Sequence, residues 1–136
     1  MKEFIDDGNN YVGYIAETPG VHPAVLFHYR ALSTRDKARM DSKRRALDID
    51  FTMDPGDRGE KAEEFRAHML AMQIYEWNYL DRRGVIFPIT QEVMIDRINT
   101  SVYMRLYGII MSVQPSDPMP DGLLVEAYDA AEQGKN

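Results

Sequence analysis

The spacing of hydrophobic and polar residues changes along this chain and separates an N-terminal strand-forming part from a longer helical part. Aromatic and β-branched residues are frequent at 11–15 and at 24–29, and the residues between them, 18–23, include two prolines and a glycine. Strand-forming runs on either side of a turn-forming segment are typical of a β-hairpin. We therefore predict a hairpin or small sheet over 10–31, after a polar start at 1–9.

The first helix is predicted from its N-terminal signal. The Ser33 hydroxyl can accept a hydrogen bond from a free N–H of the first turn, and Asp36 follows three residues later, as in a capping box. This helix is expected to run to about Leu47. An acidic loop at 48–59 follows, with four aspartates, a proline and two glycines, and a second, broadly apolar helix is predicted at about 60–79.

A third helical stretch has apolar residues at successive spacings of three and four: Ile95, Ile98, Val102, Leu106, Ile109 and Val113. Helical periodicity of this kind predicts one buried face. Asn99 to Ser101 interrupt the stretch with side chains that compete for backbone hydrogen bonds. The stretch can therefore form either one continuous helix or two helices.

The whole chain, 1–136, is predicted to be a single α+β domain: the hairpin or small sheet, then three to four helices. The helical core spans 33–113. The last part, 114–136, is predicted to be a proline-rich linker and a short C-terminal helix at 123–132.

Composition removes several classes of protein. The 136 residues are 44% hydrophobic and contain no cysteine, so disulfides, thiol nucleophiles and thiolate metal sites are excluded. No apolar run approaches the ~20 residues of a membrane helix, and the acidic N-terminus does not resemble a signal peptide. We expect a cytoplasmic protein without a membrane partner.

Catalytic patterns are weak. Residues 48–52 match the D-x-D-x-T pattern of aspartyl-phosphate phosphatases, but that chemistry needs Asp48 at the end of a buried strand, and 43–47 is basic. Calcium loops starting at Asp48 or Asp50 lack the glycine and glutamate that an EF-hand requires. The histidines have no metal-ligand spacing: His22, His28 and His68. We expect no enzyme activity, no metal and no cofactor.

Charge is unevenly distributed. The net charge is −6, yet residues 30–45 hold seven bases and two acids, a net +5 that leaves −11 for the rest. This segment can be a solvated helix face, a contact for an acidic partner through Arg35, Arg39 and Lys43, or a nucleic-acid-binding helix. The overall negative charge makes nucleic acid the least favoured of the three.

Methionine is unusually frequent, with nine residues. Its flexible, polarizable side chain suits both core packing and adaptable binding surfaces. A partner-binding groove on the predicted helices would use Met69, Met72, Met94, Met104 and Met111.

A spaced set of residues lies at 77–90: Trp77, Asp81, Gly84, Pro88 and Thr90 follow the pattern W-x-x-x-D-x-x-G-x-x-x-P-I-T. Upstream is the predicted hairpin, 14–30, and downstream 116–121 reads S-D-P-M-P-D. In this order, over about 11–121, they resemble small tail assembly chaperones of long-tailed (siphovirus-like) bacteriophages and prophages. Residues 48–59 match no part of that pattern.

The resemblance implies scaffold roles for these residues. Trp77 would be a packing anchor whose N–H needs a partner, Asp81 and Gly84 would form a turn, and Pro88 and Thr90 would position the next helix. It also implies a non-catalytic function: binding the tape-measure protein, keeping it soluble and recruiting tail-tube subunits.

Other functions stay open at this point. A head–tail joining or tail-completion protein of the virion would share the fold class and composition. A nucleic-acid-binding regulator would use the basic helix at 30–45. A homo-oligomer is compatible with all three.

Overall fold

Two antiparallel strands begin the fold, which the computed structural model describes for residues 11–120. β1 (Tyr11–Ile15) and β2 (Val25–Tyr29) pair along their full lengths. Gly20 adopts a φ of +77° in the turn between them, a conformation that a residue without Cβ takes readily. The predicted hairpin is confirmed.

The first helix, α1, spans Thr34–Asp48 and begins as the capping signal predicts. The Ser33 Oγ accepts a hydrogen bond from the Asp36 N–H at 3.2 Å, and its hydroxyl donates to the Asp36 carboxylate at 3.0 Å. α1 packs mainly against the next helix, and Asp36 is its one buried residue in the structure as described.

The second helix, α2, spans Pro55–Gln73, so it begins earlier than predicted and the acidic loop is shorter than 48–59. The Asp54 carboxylate accepts a hydrogen bond from the Gly56 N–H at 3.0 Å. Pro55 occupies the first turn, where a missing N–H costs nothing because that donor has no partner within the helix. The favourable start provided by Asp54 and Pro55 outweighs the low helix propensity of Gly56 and Gly59, which were predicted to lie in the loop.

The predicted helix at 60–79 is wrong beyond Gln73, because the chain becomes a third strand, β3 (Ile74–Trp77). β3 pairs antiparallel with β2, and the sheet order is β1-β2-β3. Ile74, Tyr75 and Trp77 are strand-favouring residues, and the free edge of β2 supplies the hydrogen bonds that the helix would otherwise provide. The α+β class is confirmed, with one strand placed after α2.

The third helical stretch is divided in two at Asn99. Residues Val93–Arg97 form a π-helical turn, and α3 spans Thr100–Ile110. The Asn99 side chain accepts a hydrogen bond from the Ser101 N–H at 2.8 Å, which starts α3 as an N-cap. Val113 lies beyond the end of α3 and is 74% exposed, so it does not belong to the buried stripe.

The residues after α3 return to the sheet, although they were predicted to be a linker. The Ser116 Oγ accepts a hydrogen bond from the Tyr14 N–H at 2.6 Å, and the Asp117 N–H donates to the Tyr14 carbonyl at 2.9 Å. The Asp117 carboxylate accepts from the Ala16 N–H at 2.8 Å. These bonds cover the outer edge of β1, which would otherwise expose unpaired backbone groups.

One core lies between the sheet and the helices. α3 packs against β1, and α2 packs against β3 and the π-helical turn. Its fully buried side chains come from every layer: Ile15, Val25, Phe27, Leu70, Ile74, Val93, Val102 and Leu106. Within 11–120, no helix has the length and apolar character needed to cross a membrane. The predicted polar start (1–9) and last helix (123–132) lie outside the described residues.

Candidate functional site

The turn at 81–85 is built around one carboxylate. Asp81 Oδ1 accepts hydrogen bonds from the Arg83 N–H at 2.8 Å and the Val85 N–H at 3.1 Å. The Gly84 N–H donates to the Asp81 carbonyl at 3.0 Å, and Gly84 has a φ of +80°. Arg97 lies 3.9 Å from the same carboxylate. The hydrogen bond from Val85, with smaller contributions from Arg83 and Arg97, lowers the pKa of Asp81 below its ordinary value of 3.8.

Aromatic packing joins this turn to the core. The Trp77 Nε1–H donates to the Phe87 carbonyl at 2.8 Å, and the rings of Trp77, Tyr79 and Phe87 pack edge to face. Pro88 follows on the surface, and the Thr90 Oγ1 accepts a hydrogen bond from the Val93 N–H at 3.2 Å. The five motif residues therefore form one continuous scaffold between β3 and the π-helical turn.

We expect the Asp81 carboxylate, whose side chain is only 9% exposed, to make stability depend on pH. Because its folded-state pKa is lowered, its stabilising effect is present above pH 3.8 and is lost as pH falls through the folded-state value. At pH 7, the urea concentration at the unfolding midpoint should therefore be lower for Asp81→Asn than for the parent. The difference between the two midpoints should become smaller at pH 3. A difference between the midpoints that is unchanged or larger at pH 3 would contradict this role of Asp81. Asp96→Asn, an exposed acid on the π-helical turn, is the control.

An apolar groove lies between α2, the π-helical turn and the start of α3. It has a volume of about 240 Å³, and its walls are Glu63, Met94, Ile95, Ile98, Thr100, Tyr103 and Met104. Met104 is 56% exposed and Ile95 is 37% exposed, whereas Met94 lies at the buried floor. Large apolar side chains facing solvent around a concavity are typical of a protein-binding site.

The break at Asn99 positions the two sides of this groove. Ile98 precedes the break and Thr100 follows it, so the groove spans two separate helical segments. A single continuous helix would place Ile95 and Ile98 on the same buried stripe as Val102. The exposure of Ile95 is therefore a consequence of the π-helical geometry and the new cap.

A polar pair borders the groove. The Tyr103 hydroxyl donates to Glu63 Oε2 at 2.8 Å, and Glu63 also binds Arg66 at 2.5 Å. Burial, together with the hydrogen bond to Glu63, raises the pKa of Tyr103. The hydroxyl therefore remains a neutral hydrogen-bond donor at physiological pH.

The structure brings together two of the five candidate methionines. Met94 and Met104 line the groove. Met69 is buried in the core, so it is not available at the surface, and Met72 and Met111 are half-buried outside the groove. The helical periodicity of the sequence predicts that all five methionines lie on helices. It does not distinguish a methionine in the core from one in the groove.

The basic helix presents its charges to solvent. Arg35, Arg39 and Lys43 are all exposed along α1. Arg39 lies 3.6 Å from Asp36, and its side chain is still 68% exposed. α1 therefore carries a positive surface, separate from the apolar groove.

The aspartates that suggested phosphatase chemistry have ordinary local roles. Asp48 ends α1 and does not follow a buried strand, and the Asp50 carboxylate accepts a hydrogen bond from the Thr52 N–H at 3.0 Å. Across residues 11–120, no three histidines, aspartates or glutamates are grouped as metal ligands.

Sequence reasoning missed five wall residues of the groove. Glu63, Thr100 and Tyr103 were not singled out, and Ile95 and Ile98 were assigned to the buried stripe. The pairing of Glu63 with Tyr103 joins residues 40 positions apart, so no local pattern reveals it. Comparison with protein-family models, curated proteins and solved structures finds no match to this chain.

Proposed function

We propose that this protein is a phage tail assembly chaperone that binds the tape-measure protein and helps to recruit tail-tube subunits, without catalysis. The observation that carries the proposal is the solvent-facing apolar groove, with Met104 and Ile95 exposed at its rim. The spaced motif at 77–90 and the docked residues 116–117 add support, because they are the segments that resemble the chaperone family.

The groove suits a helical client. Its volume of about 240 Å³ accommodates one or two apolar side chains, as expected when residues on one face of a client helix insert between two helices. Met104 can change rotamer to fit different client side chains at small cost. A chaperone that covers a long, repetitive hydrophobic protein needs this adaptability more than it needs tight shape selection.

Substitution in the groove should abolish client binding. With Met104→Asp, we expect at least about tenfold weaker binding to the tape-measure protein, because docking would bury an unpaired carboxylate. The measurement is co-expression with that protein, followed by size-exclusion chromatography and titration calorimetry. Val113→Asp, exposed and outside the groove, is the matched control.

Several outcomes would contradict the proposal. One is that the parent protein forms no complex with the tape-measure protein and leaves its solubility unchanged. Another is that Met104→Asp and Val113→Asp bind the tape-measure protein equally well. Mass spectrometry of purified virions separates a chaperone from a head–tail joining protein, since a stoichiometric amount in the particle indicates a structural component.

A second candidate function, nucleic-acid binding, is favoured by the exposed bases of α1. Arg35, Arg39 and Lys43 would contact phosphates, and binding would weaken steeply as salt rises. Electrophoretic mobility shift at low salt tests it directly. No shift at low salt, or equal binding by Lys43→Glu and the parent, would reject this function.

A further inference from the structure

A second, smaller pocket lies on another face of the molecule, where the start of α1 meets the ends of α2 and α3. Its volume is about 170 Å³. Leu32, Ile110 and Met111 supply apolar walls, and Gln73 and Lys37 supply polar ones. The pocket shares no residue with the Met94–Met104 groove, so it needs an explanation of its own.

Gln73, one of the wall residues of this pocket, has an unpaired side-chain acceptor. Its side-chain Nε2 donates to the Arg30 carbonyl at 3.0 Å, which fixes the amide orientation. Its Oε1 is buried and accepts no hydrogen bond, although the residue as a whole is only 2% exposed. A buried acceptor without a donor costs about 1–3 kcal/mol, so an unpaired one in a native structure needs an explanation, and a donor supplied by another part of the chain is one.

Lys37 adds a positive charge at the same place. Among the described residues, no carboxylate forms an ion pair with it, and the exposed bases Arg35 and Arg39 flank it on α1. The pocket therefore combines apolar walls, one unpaired acceptor and a positive rim. Its ligand should offer an apolar side chain, a hydrogen-bond donor and negative charge.

The chain itself contains a segment with this chemistry, outside the described residues. Residues 121–136 hold four acids and one lysine, and Leu123, Leu124, Val125 and Tyr128 lie among the acids. The pocket wall includes Ser112, and the chain then runs along β1 at Ser116 and Asp117 before it reaches Pro120. At ~3.4 Å per extended residue, eight residues beyond Pro120 reach up to ~27 Å.

We propose that residues 121–136 bind this pocket within the same chain. An apolar or aromatic side chain of the segment lies against Leu32 and Ile110, and a donor from the segment satisfies Gln73 Oε1. The acids of the segment face Lys37 and the neighbouring bases of α1. This pairing brings the net negative charge of residues 121–136, with four acids and one lysine, against the positive surface of α1, and it does not depend on the proposed function.

Zero-length carbodiimide cross-linking of the full-length protein tests the proposal. We expect a monomer in which Lys37 is joined to Asp121, Glu126, Asp129 or Glu132, with a yield that falls several-fold between low and high salt as the charges are screened. Lys61 and Glu64, 3.6 Å apart, are an internal positive control. A Lys61–Glu64 product without any product from Lys37 to 121–136 would overturn the proposal, and so would products found only in a covalent dimer.

A second measurement reports on the pocket itself. In the full chain, Glu126→Lys combined with Asp129→Lys should shift the NMR signals of the Gln73 side-chain amide and the Met111 methyl group. The Met94 methyl group, buried in the other groove, should stay unchanged. Unchanged Gln73 and Met111 signals would show that the segment does not reach the pocket.

Discussion

Replacing Gly13 with alanine is expected to destabilise the protein by about 3 kcal/mol, because the new methyl group has no space. An alanine Cβ at this position would overlap Cζ of Phe27 and would lie 2.6 Å from Cε2 of the same ring. Gly13 pairs with Phe27 across the β1–β2 ladder, so the ring lies directly over the glycine. Phe27 is 0% exposed, and it cannot move without opening the core.

Urea unfolding followed by circular dichroism measures this loss, and Gly59→Ala is the matched control. Gly59 lies in α2 with no atom within 4 Å of its added Cβ, so alanine there should stabilise the protein by up to ~1 kcal/mol. The same glycine-to-alanine change is therefore expected to lower the unfolding free energy at position 13 and to raise it at position 59. A loss below about 1 kcal/mol for Gly13→Ala would mean that the Phe27 ring is free to reposition.

The second large effect is expected for Trp77→Phe, with a loss of about 2–4 kcal/mol. The substitution removes the donor to the Phe87 carbonyl, which leaves a buried acceptor unpaired at a cost of about 1–3 kcal/mol. It also leaves a space beside Tyr79, because phenylalanine is smaller than tryptophan. Circular dichroism is needed for the measurement, since Trp77 is the single tryptophan of the chain.

Tyr75→Phe is the control on the same strand. Tyr75 is 39% exposed, and loss of its hydroxyl should change the unfolding free energy by less than ~0.5 kcal/mol. If Trp77→Phe cost no more than Tyr75→Phe, the hydrogen bond to Phe87 would not hold the 77–90 scaffold to the core. The same comparison would then weaken the scaffold role that the family resemblance implies for Trp77.

Several elements were predictable because their signals are local. The Ser33 cap of α1 and the turn after β1 depend on residues within a few positions of one another. The sequence allowed either one helix or two around Asn99, and the structure has two, with Asn99 as the N-cap of α3. The start of α2 was missed although its signal was present, because Asp54 and Pro55 were interpreted as loop residues.

The candidate site was predictable only in part. Met94 and Met104 were named with Met69, and nothing in helical spacing separates an exposed methionine from one in the core. The distinction depends on which face each helix turns toward the sheet. The positive charge of α1 was evident from composition, whereas the unpaired acceptor of Gln73 depends on a contact with Arg30, 43 positions away.

By itself, the sequence determined the local features of this protein: the hairpin, the Ser33 cap of α1, the Asp81 turn and the division of charge between 30–45 and the rest. These follow from interactions between residues a few positions apart. Only the tertiary structure decided that 74–77 forms a strand, that Ser116 and Asp117 cover β1, and where a groove opens. The physical reason is that each of these features needs a partner distant in the chain, whose hydrogen bonds or apolar surface outweigh local preference.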